Sequence, residues 1–230
     1  MLRCGGDEAG RGAVLGPLVI SMVAVKDSSV HRLSEIGVRD SKLLSDKKRR
    51  SLFNDIEDIA SEIKVDKIYP DDINEAMRNH ISINELEAVR FAGLFDKMDK
   101  GISSVYLDSP DVIPERFGTR FKIASIRPTK VVGVKSPKES GTSARVIAEH
   151  KADSRYPIVS AASIIAKVVR DKEMAKIERS LGFKLGSGYP SDYNTIEAIK
   201  ANLKSGALDS HIRQKWITID RIRQTQLTSF

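Results

Sequence analysis

The chain has 230 residues, 40% of them hydrophobic, and a formal net charge of +7. That length builds one large domain or a domain with a small appendage, and no apolar run approaches the roughly 20 residues that span a bilayer. A single cysteine, Cys4, excludes an internal disulfide framework and suits the cytosol, while the basic excess favours an acidic partner, nucleic acid being the common one.

Taken in order, the chain opens on Cys4-Gly5-Gly6-Asp7-Glu8-Ala9-Gly10-Arg11-Gly12-Ala13-Val14-Leu15-Gly16-Pro17. Arg3, Asp7, Glu8 and Arg11 break up the start, so no signal peptide is expected. A strand or hairpin arm begins near Arg3, and Leu18 to Val25 reads as the next strand. Side chains alternate along a strand, so Asp7 and Glu8 do not share a face unless a bend lies beside them. The glycines permit a bend and leave N–H groups unobstructed. Arg11 adds a forked cation suited to phosphate. Acids beside phosphate-binding groups suggest metal-assisted phosphodiester chemistry, although Asp-Glu pairs are often solvated turns. The glycine spacing is not the dinucleotide fingerprint, and the loop lacks the Gly-Lys-Ser/Thr ending of a phosphate-binding loop.

Ser28 to Leu33 reads as a helical turn. Ser45 is placed to cap a helix from Asp46 to Ser61, with Leu52, Phe53, Ile56 and Ile59 at helical spacing. Its basic start (Lys47, Lys48, Arg49, Arg50) reads first as a solvated face. Ile63 to Tyr69 is strand-like, and Pro70 opens a short helix. The segment from Ser82 to Phe95 is helical, with Leu86, Val89, Ala92, Phe95 and Met98 as its core stripe. Ser103 to Asp108 is a strand ending in an acid, and Pro110 stops it. Sites in open α/β sheets lie beyond such strand ends. Pro114 to Phe121 reads as helix, and Phe121 to Ile126 and Val131 to Val134 as strands. Residues 135–143 form a polar, exposed loop with no assigned role. Asp153 precedes a helix opened by Pro157, whose small residues Ser160 to Ser163 allow close approach to a sheet. Lys167 and Arg170 on that helix read as a solvated face or as phosphate contacts. A turn-rich stretch, Leu185 to Asp192, leads to helices at Asn194 to Leu203 and Ser210 to Arg223.

Three separate segments carry one resemblance. Gly5-x-Asp7-Glu8-Ala9-Gly10-Arg11-Gly12 with Leu15-Gly16-Pro17-Leu18-Val19 resembles the opening signature of ribonuclease HII. The strand ending in Asp108 and the run from His150 to Asp171 are similar to that family's later acidic segments, and Ile83-Asn84-Glu85-Leu86 in addition resembles another segment of the family. Two positions depart from the pattern: Gly6 stands where Ile or Val is usual and is expected to loosen the strand, and Ala13 stands where Pro is common.

The resemblance implies a ribonuclease-H-like α/β fold with a central mixed sheet flanked by helices, over residues 1–184. It implies a small C-terminal helical part over 185–223 and a tail over 224–230. It implies a metal-dependent hydrolase that cuts the RNA strand of RNA/DNA hybrids and incises 5′ to single ribonucleotides embedded in duplex DNA. Asp7, Glu8, Asp108 and Asp153 would bind two Mg²⁺ or Mn²⁺ ions and carry catalysis. Gly10, Arg11, Gly12, Lys42 and Tyr189 would contact the substrate. The tail pattern Gln224-x-x-Leu227-x-x-Phe230 is similar to the sliding-clamp-binding box of archaeal members, with one terminal aromatic in place of two. A cytoplasmic monomer is expected. Three competitors stand beside this reading. Ribonuclease HIII usually carries an extra N-terminal domain, for which a first motif at residue 4 leaves no room. A non-catalytic nucleic-acid-binding module of the same fold would not need four acids. A phosphate-loop enzyme would need the missing lysine.

Overall fold

A computed structural model describes residues 1–38, 44–134 and 143–227, with nothing of the side chains at 226 and 227. Lys42, Phe230 and the polar loop up to residue 142 therefore lie outside the described residues. Two compact units emerge, each assembled from separate stretches: Met1–Ala9, Ile20–Asp66 and Asn84–Val168 in the first, and Gly10–Val19, Lys67–Ile83 and Val169–Phe230 in the second.

The first unit carries the body of a mixed six-stranded sheet. Its strands are β1 (Leu2–Ala9), β2 (Leu18–Lys26), β3 (Glu62–Ile68), β4 (Ile102–Asp108), β5 (Thr129–Val131) and β6 (Ala144–Glu149), in the order β3-β2-β1-β4-β6-β5. The pairs β1–β4, β4–β6 and β5–β6 are parallel. Helices in chain order are α1 (Val30–Glu35), α2 (Asp46–Ile59), α3 (Pro70–Arg78), α4 (Ile83–Asp96), α5 (Pro114–Ala124), α6 (Ala152–Arg155), α7 (Pro157–Leu181), α8 (Tyr193–Asn202) and α9 (Ile217–Leu227).

The strand β2 is buried from Leu18 to Val25, which is why it reads as an unbroken apolar run rather than an alternation. The start of α7 lies against the sheet. Ser21 Oγ donates to the Ala162 carbonyl at 2.7 Å, and Ser160 to Ser163 are all buried. A Cβ on Gly5 would overlap the main chain of Ile158, so β1 and α7 approach as closely as only glycine allows. Gly6 does not break the strand, because it stays in register with Leu107 of β4. The space its side chain would fill is taken by Leu107 and the Phe91 ring, 2.7 and 3.0 Å from where a Cβ would sit.

Two helix predictions in this unit change. Helix α5 continues through Phe121 to Ala124 in place of the expected strand. The ring of Phe121 is buried against Phe95, centroids 5.5 Å apart. The buried face of α4 is Ala88, Phe91, Ala92 and Phe95, whereas Val89 is 49% exposed. A five-residue stripe at spacing three drifts around a helix of 3.6 residues per turn, and Val89 is where the drift shows.

The second unit has its own core of Val14, Leu15, Met174, Ile177, Leu185, Ile199, Leu208, Ile212, Ile219 and Ile222. The expected helix from Ser210 to Arg223 is interrupted. A 3₁₀ turn at Asp209–His211 precedes α9, which starts only at Ile217. Between them Ile212 bridges Leu15 in an antiparallel pair, and Arg213 N–H donates to the Val14 carbonyl at 3.0 Å. Main-chain pairing with residues 14 and 15 occupies the groups a helix would have used. The apolar spacing is kept, since Ile212, Ile219 and Ile222 all enter the core, with Trp216 packed on it.

Candidate active site

Three adjacent parallel strands end together. Gly6 of β1 is in register with Leu107 of β4, and Asp108 of β4 with Glu149 of β6. The carboxyl ends of β1 and β4 therefore deliver Asp7 and Asp108 side by side, where ligands of open α/β sheets bind. Glu8 joins them. Carboxylate oxygens of Asp7, Glu8 and Asp108 lie within 4.8 Å of one another. No bend separates Asp7 from Glu8, because β1 continues to Ala9. The Glu8 N–H donates to Asp7 Oδ1 at 2.7 Å, and the Asp7 carboxyl also has a hydrogen bond with Ser163 of α7.

Asp7 is 4% exposed. Burial, then the charges of Glu8 and Asp108, push its pKa well above the ordinary carboxylate range, with Ser163 opposing. Three acids held this close repel one another, and a multivalent cation relieves that repulsion. The donor set is oxygen only, which suits hard divalent ions over zinc. The cluster could hold such a metal.

Asp153 stands outside that group of oxygens. It is buried in the first turn of α6, after Lys151, whose φ is +55°. A lysine in the left-handed region is strained. The turn it makes aims the Ala152 N–H at Asp108 Oδ1, 2.7 Å away. The segment carrying Asp153 is thereby tied to the end of β4.

The loop that follows Asp108 is pinned as well. Asn84 and Arg120 both donate to the Asp111 carboxylate. The His150 ring nitrogens lie 3.2 Å from the Ser109 carbonyl and 3.3 Å from that of Val112. Nothing local in the sequence singles out Asp111 or His150, because their partners lie 9 to 41 residues away.

Gly10, Arg11, Gly12 and Tyr189 belong to the second unit. Gly10 has φ +87°, and a Cβ there would overlap Arg170 and lie 2.8 Å from the Pro17 carbonyl. A Cβ on Gly12 would touch the Tyr189 ring at 4.0 Å. The Gly188 carbonyl accepts from the N–H groups of Val14 and Leu15, at 2.9 and 3.2 Å. Gly10, Gly12 and Tyr189 thus share one surface built from residues far apart in sequence.

Two arginines that sequence patterns do not place there hold it. Arg170 is no solvated residue but 5% exposed, donating to the carbonyls of Pro17 (3.3 Å) and Ser187 (2.9 Å) with its guanidinium 4.8 Å from the Tyr189 ring centre. Arg213 is fully buried and donates to the carbonyls of Gly10, Arg11 and Gly16. Of the tail, Gln224 is exposed on α9 and Leu227 ends that helix. Among the described residues, no helix is long and apolar enough to cross a membrane.

The comparisons with known proteins agree along the chain. The family model of ribonuclease HII matches residues 4–219. The chain is 42% identical to ribonuclease HII of Pyrococcus horikoshii, over 99% of this chain and 97% of the relative. A crystal structure of ribonuclease H2 from Pyrococcus horikoshii OT3 superposes with a TM-score of 0.84 at 39% identity, covering 100% of both chains. A structure of a PCNA:RNase HII complex from Archaeoglobus fulgidus contains a chain matching with a TM-score of 0.78 at 38% identity, over 94% of this chain and 95% of that one. The sheet with its acids at the strand ends, the family match and the relatives lead to one assignment: the chain belongs to the ribonuclease HII family of metal-dependent endonucleases.

Proposed function

We propose that the protein hydrolyses the RNA strand of RNA/DNA hybrids and incises duplex DNA on the 5′ side of single embedded ribonucleotides, leaving 5′-phosphate and 3′-hydroxyl ends. The observation that carries this reading is the meeting of Asp7, Glu8 and Asp108 oxygens within 4.8 Å at the ends of parallel strands. The donors fit Mg²⁺ or Mn²⁺, and we assign Asp7, Glu8, Asp108 and Asp153 as the residues that hold them. When bound as a pair, such ions supply an activated water and stabilise the leaving 3′ oxygen.

The chain's own groups do the rest. Ser163 and the Glu8 N–H orient the Asp7 carboxyl, and the Ala152 N–H orients Asp108. Gly10, Arg11 and Gly12 follow Glu8 after the single residue Ala9, and we assign their N–H groups and the Arg11 guanidinium to the ribonucleotide and its phosphates. The 2′-hydroxyl is the handle that separates RNA from DNA. Tyr189 offers a ring for stacking at the RNA–DNA junction, and Lys42 a cation for phosphate. Gln224, Leu227 and Phe230 are assigned to a sliding clamp, a reading supported by the Archaeoglobus fulgidus relative having been solved with PCNA. We infer a monomer working in the cytoplasm, beside the DNA it repairs.

The test is duplex DNA carrying one ribonucleotide, incubated with and without Mg²⁺ beside an Asp108→Asn variant. The expected result is a metal-dependent cut 5′ to the ribonucleotide that the variant loses. An intact substrate with folded protein in Mg²⁺ and in Mn²⁺ overturns the reading and leaves a non-catalytic nucleic-acid-binding module.

A further inference from the structure

We propose that Arg213 is a positioning residue for substrate recognition, setting the peptide planes of the Gly10–Gly12 turn so that the N–H groups of Arg11 and Gly12 face the nucleic acid. The inference rests on the recognition role proposed above for that turn.

The guanidinium of Arg213 is spent on main-chain oxygens. It donates to Gly10 and Arg11 at 2.7 Å each, and to Gly16 at 3.2 and 3.3 Å. Its remaining contact is the Trp216 ring, whose centre is 5.1 Å away. Among the described residues no carboxylate pairs with it. Burial, then the charge of Arg170, pull its pKa down to about 9. A fully buried cation without a counter-ion is costly, and ordinary loop packing does not call for one.

The geometry supplies a reason. In a trans peptide the C=O and the following N–H point in opposite directions. Two consecutive carbonyls, Gly10 and Arg11, are drawn inward onto one guanidinium. The N–H groups of Arg11 and Gly12 must then face away from Arg213. The turn is closed by Ala13 N–H donating to Gly10 at 3.2 Å, so the planes do not flip independently. Two successive outward N–H groups make the kind of concavity that takes a phosphate oxygen or a hydroxyl. A planar fork reaches several carbonyls at once, whereas a lysine ammonium offers a point charge.

Kinetics of Arg213→Lys on a duplex with one ribonucleotide provide the test, beside wild type, after circular dichroism and a melting curve establish folding. Loss of uniform binding raises KM and spares kcat, so we expect KM to rise about tenfold with kcat within about threefold. A folded variant with unchanged KM, or with kcat reduced at constant KM, overturns the proposal. If the variant does not fold, amide exchange of the wild-type protein decides. With a non-cleavable substrate analogue, the Gly12 amide must pass from fast exchange to protection. A Gly12 amide already protected in the free protein, or unchanged by the analogue, overturns it. Cleavage by wild type in the same series separates this failure from a failure of the proposed activity.

Discussion

The Ala152 N–H donates to Asp108 Oδ1 at 2.7 Å, tying the helical turn that holds Asp153 to the end of β4. An amide oxygen can also accept that bond. Asp108→Asn therefore keeps the turn while removing one of the three clustered carboxyl groups. Cleavage should fall by at least about 100-fold. In the presence of a chelator the same variant should melt a few degrees higher, since about 1 kcal/mol of relieved repulsion moves a domain of this size by roughly 2–4 °C. Added Mg²⁺ should stabilise the wild type and leave the variant nearly unmoved. Thermal melts with chelator and with Mg²⁺ check both halves, and a variant less stable than wild type in chelator would contradict the repulsion argument.

Glu173 gives a pH dependence. Its carboxylate is buried, with Lys67 at 2.8 Å, Lys176 at 2.7 Å and the Tyr69 hydroxyl at 3.2 Å. Burial alone would raise its pKa, but the hydrogen bonds from Lys176 and Lys67 win and hold it down at about 2. A depressed folded value means stability that is complete above the unfolded value, about 4.3, and lost as pH falls toward the folded one. Glu173→Gln should cost about 1.5–3 kcal/mol at pH 7, the range for hydrogen bonds to charged groups. That difference should shrink steadily below pH 4 and vanish near 2. Urea titrations of both proteins across pH 2–7 provide the measurement.

The two glycines before Asp7 should respond differently to added atoms. Gly5→Ala places a methyl into the Ile158 main chain, which has nowhere to move. Gly6→Val meets only the ends of the Leu107 and Phe91 side chains. Overpacking of that kind costs about 1–3 kcal/mol, partly offset by the roughly 0.5–1 kcal/mol a strand glycine loses in entropy. The expected order of stability is wild type, then Gly6→Val, then Gly5→Ala. Adding Leu107→Ala should recover part of the loss for Gly6→Val and none for Gly5→Ala. Denaturant midpoints for the five proteins decide it.

A chain ending at Arg223 keeps both core isoleucines of α9. Ile219 and Ile222 are buried in the second unit's core, whereas Arg223 and Gln224 are exposed. A chain ending at Arg223 should keep its melting temperature to within about 2 °C, because surface changes stay within about 0.5 kcal/mol. It should cut short duplexes at the wild-type rate and lose binding to the sliding clamp. Surface plasmon resonance on immobilised clamp tests this, and equal binding by the two chains would remove Gln224, Leu227 and Phe230 from the clamp assignment.

What the sequence determined is local. The unbroken apolar run at Leu18–Val25 announces a central strand, Pro70, Pro114 and Pro157 mark helix starts, and Ser45 caps α2 with its Oγ 3.3 Å from the Lys48 N–H. The motif around Asp7, Glu8 and Gly10-Arg11-Gly12, with the later segments around Asp108 and Asp153, pointed to the family and its fold. Composition and periodicity alone named no site, and Asp108 and Asp153 entered as candidates through resemblance. Only the tertiary structure put the oxygens of Asp7, Glu8 and Asp108 within 4.8 Å of one another, buried Asp153 in the first turn of α6, and filled the space beside Gly6. It alone showed Arg170, which reads as a solvated or phosphate-facing residue, to be buried, and set Arg213 among main-chain carbonyls. Arg213 meets Gly10 across 203 residues. A cation is buried when the fold brings enough carbonyls around it to replace water, and carbonyls belong to every residue, so no pattern of side chains along the chain announces where they will converge.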